Sequence, residues 1–164
     1  MKRFLILAAL AVVACTKMQQ EKIYTEQELG VFFDWGIYGW SEVYNDLNET
    51  VTLVTTYPYR YSPEEVNEKT SVIKPGDFIK LEIGAFAPGV SIRESLTATI
   101  KLSDGTEILC TRGAEDPCSK LFYENYTERT EEEILDHEGK KFRHEWLYMT
   151  YRIDKALVDL WKAN

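Results

Sequence analysis

Histidine and cysteine are scarce in this 164-residue chain, with two of the first and three of the second. Zinc sites draw on clustered His and Cys ligands, yet Cys110 and Cys118 have no second pair, and His137 and His144 sit in a different segment. No metal ligand set and no cofactor motif is therefore expected. The same scarcity thins the usual nucleophile-and-base pairings, since His137 falls inside an acidic run and His144 opens an alternating strand pattern. A non-catalytic protein is the expectation, although carboxylates remote in sequence can still meet across a fold. Basic residues are outnumbered too, 19 against 27 acidic, for a formal charge of −8. The largest basic cluster is Lys140-Lys141 with Arg143 nearby. A polyanion needs a basic face that releases counterions, so this balance argues against a nucleic-acid partner.

Long apolar runs are missing except for one, which follows Lys2 and Arg3 and closes with Leu10-Ala11-Val12-Val13-Ala14-Cys15. A basic start, a short apolar core and small residues at the cut site describe an export signal too short to span a bilayer. The tetrapeptide Val12-Val13-Ala14-Cys15 resembles the lipobox of lipoprotein signal peptidase substrates. That resemblance implies diacylglycerol transfer to the Cys15 sulfur, cleavage, and acylation of the new amine with a palmitate-type chain. Several acyl chains anchor a protein stably where one would not. The alternative is an ordinary secretory peptide that leaves Cys15 as a free thiol. The organisation expected is a signal peptide over 1–14, a lipidated Cys15 with a polar tether over 15–24, and one domain over 25–164. Loss of Lys2 and Arg3 with the signal leaves 17 basic residues against 27 acidic, or −10. Thr16 stands where an inner-membrane retention rule would want Asp, which by analogy points to the outer membrane. The tether segment Lys17 to Lys22 holds a single acid, Glu21, and leaves the side of that membrane open.

With Cys15 lipidated, Cys110 and Cys118 remain in a compartment where disulfides persist. A bridge would close a short loop through Gly113, Asp116 and Pro117 and stabilise by about 2–3 kcal/mol. Two buried thiols are the other reading.

Thr25 and Glu28 form a weak capping box for a single helical turn that Gly30 would stop. The aromatic, glycine-punctuated stretch from Val31 to Trp40 reads as an edge strand or a loop over the core. A turn at 45–48 leads into the β-branched run Val51 to Tyr57. Ser62-Pro63-Glu64-Glu65 carries the chemistry of a short helix start. Ile79, Leu81 and Ile83 alternate with Lys80 and Glu82 after a turn at Pro75-Gly76. Leu96, Ala98, Ile100 and Leu102 alternate towards Asp104-Gly105, which supplies the positive φ of a tight hairpin. The acidic segment 120–138 reads as a solvated connection, with a weak capping box at Thr130 and Glu133. Arg143 to Ile153 reads as a long final strand, and Asp154 caps a short terminal helix.

Strands joined by turns, with no βα alternation, predict an all-β protein: an antiparallel immunoglobulin-like sandwich of roughly seven strands, with short helical turns and a short C-terminal helix. The lipobox, Ile73-Lys74-Pro75-Gly76-Asp77, Ser103-Asp104-Gly105-Thr106 and Tyr148-Met149-Thr150-Tyr151-Arg152-Ile153-Asp154 together resemble small Bacteroidota envelope lipoproteins. The resemblance implies a single β-sandwich domain at the cell envelope, in a group mostly without assigned activity.

Two functional classes remain. A binding module for a glycan or protein would use flat aromatic faces at Trp35, Tyr38 and Trp40, and at Tyr57, Tyr59 and Tyr61 with Arg60 between the last two. The same aromatics could instead pack the core. An accessory subunit of an envelope or pilus-like assembly would use a sheet edge for strand addition.

Overall fold

Period-two alternation builds most of the molecule. Val51, Leu53, Thr55 and Tyr57 point inward, with Thr52, Val54 and Thr56 between them on the other face, and form β3 (Val51–Tyr59). The computed structural model describes residues 21–30, 37–59, 62–84 and 92–164. Next to β3 lie β4 (Ser62–Ile73) and β6 (Thr97–Lys101), and β6 continues through the Asp104-Gly105 turn into β7 (Glu107–Thr111). Gly105 has φ +87°, as the hairpin chemistry requires. These four strands form an antiparallel sheet in the order β4-β3-β6-β7.

The second sheet contains β1 (Tyr24–Thr25), β2 (Ile37–Asn45), β5 (Phe78–Gly84), β8 (Thr127–His137) and β9 (Lys140–Ile153). On one side β9 pairs with β8, and on the other with β1 at Phe142–Arg143 and with β2 from Leu147 to Ile153. β5 runs antiparallel to the far edge of β2. Both β1 and β2 run parallel to β9, which corrects the expectation of purely antiparallel sheets. Antiparallel order follows only from hairpin connections, and β2 and β9 are joined through the whole of the other sheet.

The sheets bury a shared core. Val43, Leu81, Met149, Tyr151 and Ile153 meet Val51, Leu53, Ile73, Ile100 and Ile108. Among the described residues three α-helices flank the sheets: α1 (Glu26–Leu29), which buries no residue, α2 (Pro117–Glu124) and α3 (Lys155–Ala163). α1 carries the expected capping box, with Glu28 N–H donating to Thr25 Oγ1 at 3.2 Å and Thr25 N–H to Glu28 Oε2 at 2.8 Å. Gly30 ends it at φ +63°. In α3, Leu157 N–H donates to Asp154 Oδ1 at 3.0 Å, and Leu157 and Val158 enter the core. Among the described residues no helix is long and apolar enough to cross a membrane.

Two further expectations are corrected. Ser62–Glu65 is the start of strand β4, because pairing with β3 overrides the capping signal and Pro63 already biases Ser62 towards extended backbone. The segment 120–138 is not a loose connection. It begins in α2, whose N-cap Asp116 accepts from Ser119 N–H at 2.9 Å with Pro117 in the first turn, and it continues as the eleven residues of β8. β8 and β9 join through Glu138 and Gly139, at φ +53° and +76°, a two-residue hairpin turn.

Candidate functional site

Alternation gives the five-stranded sheet a second, outward face. Val43 on β2 and Met149 and Tyr151 on β9 point to the core, so Trp40, Glu42 and Tyr44 on β2, with Tyr148 and Arg152 on β9, point away from it. The register sets Phe78 and Lys80 of β5 opposite Tyr44 and Glu42, and Arg129 of β8 opposite Tyr148. The outer face is thus a platform of aromatic rings and paired charges across four strands.

Glu42 sits at its centre and is only 2% exposed. Arg129 grips its carboxylate with two donors, Nη1 to Oε2 at 2.9 Å and Nη2 to Oε1 at 3.2 Å, and Lys80 Nζ approaches to 3.4 Å. Burial opposes ionisation, but the Arg129 and Lys80 charges outweigh it and hold the carboxyl below the ordinary glutamate range. The Arg129 guanidinium also lies 4.2 Å from the centre of the Tyr148 ring, and Lys80 Nζ lies 5.1 Å from it. At one end Tyr44 stacks on Phe78 at 4.8 Å, with Arg152 over the same tyrosine at 5.3 Å and paired to Asp46 at 2.6 Å. At the other end Trp40 and Trp146, both half-buried, have ring centres 6.3 Å apart, and Trp146 Nε1–H donates to Glu133 Oε2 at 2.7 Å.

Beyond Tyr148 the buried face of β9 changes side. Phe142 and His144 are buried while Arg143 and Glu145 are exposed. His144 contacts Glu26 of α1 through Nδ1, and its ring meets Trp146 edge-on at 4.2 Å. It is therefore an interior strut between α1 and β9. A cleft of about 530 Å³ opens beside it, lined by Thr25, Glu26, Gln27, Arg143, His144 and Glu145.

Of the residues singled out in the sequence, Trp40 lies on this platform. Tyr57 does not: it is fully buried in β3 of the other sheet, where it serves the core and offers no surface for stacking. Cys15, Trp35, Arg60 and Tyr61 lie outside the described residues, as do the side chains of Tyr38 and Tyr59. Tyr44, Phe78, Arg129, Trp146, Tyr148 and Arg152 were missed, although the i, i+2 spacing of Trp146 and Tyr148 carried a hint.

Cys110 and Cys118 are free, buried thiols, so the structure holds them unbridged. Cys110 Sγ is directed at the Cys118 carbonyl, 3.8 Å away. Burial pushes the Cys110 thiol up to about 12 and raises that of Cys118. Among the described residues, no three His, Cys, Asp or Glu side chains gather where a metal could be held. No family model matches the chain, and no curated protein or solved structure matches it.

Proposed function

We propose that this chain is a lipid-anchored, non-catalytic binding module of the bacterial envelope that takes a glycan on the outer face of its five-stranded sheet. The observation that carries the reading is the pair Trp40 and Trp146, half-buried and 6.3 Å apart, beside side chains already fixed by ion pairs. Rings held by packing offer flat apolar faces to sugar rings at little entropic cost. The flanking Arg129, Lys80 and Glu133 supply hydrogen-bonding partners for hydroxyls. Charge on the platform is largely compensated, which suits a neutral or weakly charged saccharide better than a polyanion. The Leu10 to Cys15 run supports anchoring, and Thr16 supports the outer membrane. Two packed sheets without βα units support an immunoglobulin-like sandwich as the fold family.

Affinity gel electrophoresis against a panel of neutral and acidic polysaccharides tests this reading. Retention by at least one neutral polysaccharide is expected, and Trp40→Ala or Trp146→Ala should weaken it about tenfold, the equivalent of ~1.4 kcal/mol. Unchanged retention in both folded variants, or none by the parent protein, rejects the platform as a glycan site.

A further inference from the structure

We propose that the outer edge of β8 is a docking edge for an extended, lysine- or arginine-rich segment of a partner protein, which adds to the sheet as a further strand. This does not rest on the glycan reading, because its affinity comes from the backbone of a sheet edge and not from the Trp40–Trp146 pair. β8 bonds to β9 along its whole length from Thr127 to His137 without a register shift. Among the described residues, no strand pairs with its other edge. Every residue of β8 is exposed except the half-buried Leu135.

Sheet edges are usually blunted by shortness, proline or a bulge. β4 has an irregularity against β3, and β7 is five residues long and packs against α2. β8 has none of these devices over eleven residues, an edge of about 36 Å whose outer backbone groups pair with no described strand. Its guard is charge. It carries Glu128, Glu131, Glu132, Glu133 and Asp136, and its one arginine, Arg129, is committed to Glu42 and Glu131.

That charge selects the occupant. A second copy of β8 would set acids beside acids, which is destabilising across a strand pair. A basic strand meets acids on both faces, Glu131 and Glu133 on the platform side and Glu128 and Glu132 on the other. Ile134, 44% exposed, adds an apolar contact near the hairpin end. Backbone hydrogen bonds then supply affinity and the alternating charges fix register.

The test uses the full chain in detergent with an eleven-residue peptide of lysine pairs separated by threonine and valine, so that lysines fall on both faces of the strand, beside the same peptide N-methylated at alternate amides. Fluorescence anisotropy reads binding, and amide hydrogen exchange reads its location. Saturable binding with slowed exchange confined to β8 is expected, at least tenfold weaker for the N-methylated peptide and for the E128K/E132K double variant. Trp40→Ala should leave it unchanged, which separates this edge from the glycan platform. No binding, equal binding of the N-methylated peptide, or slowed exchange away from β8 overturns the proposal. So does a dimer in sedimentation that protects β8 without peptide, which would make a second copy the occupant. If the double variant does not fold, the two peptides on the unmodified chain decide.

Discussion

At the scale of single residues, Gly39 is the most constrained position described. A Cβ built there would lie 1.7 Å from the Leu147 carbonyl oxygen and 2.6 Å from its carbon, both of them backbone atoms. No rotamer relieves such a clash, so β2 and β9 would have to separate. Gly39→Ala should cost about 3 kcal/mol, at the upper end of overpacking losses, as measured by urea denaturation. An alanine variant as stable as the parent would mean that the β2–β9 register is not the one described. The glycine-rich spacing of this segment was visible in the sequence, but its cause was not. That cause is the approach of a backbone roughly a hundred residues away. His144 hid for the same reason, since its partner Glu26 and its cover come from the other end of the chain.

At the scale of elements, local chemistry was legible wherever neighbours in sequence are neighbours in space. The α1 capping box, the Asp104-Gly105 hairpin and the Asp154 cap all satisfy their groups within a few residues. Ser62–Glu65 failed because cross-strand bonds to β3 outweigh a cap, and β8 failed because its acids face water on both sides and leave no apolar period to read. The platform belongs to this scale, since four strands must align before Glu42 meets Arg129 and Lys80. That alignment has a pH signature. A carboxylate held below its ordinary value contributes stability that is complete above about pH 4.3, the unfolded value, and is lost as pH falls through the lower folded value. Arg129 and Lys80 are 43% and 44% exposed, so water takes up part of the cost of losing their partner. Glu42→Gln should therefore cost about 1–2 kcal/mol at pH 7, with the gap closing below pH 4. Chemical denaturation of both proteins from pH 3 to 7 checks it, and a gap that stays constant with pH would remove Glu42 from the ionised pair.

At the scale of the whole molecule, Cys110 and Cys118 report on integrity. Both are buried between the four-stranded sheet and α2, with thiols pushed up by that burial, so a reagent reaches them only when the core opens. In a Cys15→Ser chain, a thiol-specific chromophoric reagent at pH 8 should find no reactive thiol in the native state and two in denaturant. Rapid reaction of the folded chain would contradict the packing. The core itself was legible from alternation, whereas strand direction was not, because only the path of the chain between β2 and β9 decides it. That path makes assembly a matter of order in time. β2 is seated between β5 and β9, and β9 is the last strand to be made, so a chain emerging from a ribosome or a translocon can zip up β3, β4, β6 and β7 well before β2 finds its second neighbour. Until residue 153 arrives, the platform that carries Trp40, Glu42 and Tyr44 has no floor, and a nascent chain halted just short of it would be a half-closed book, one cover folded and the other blank.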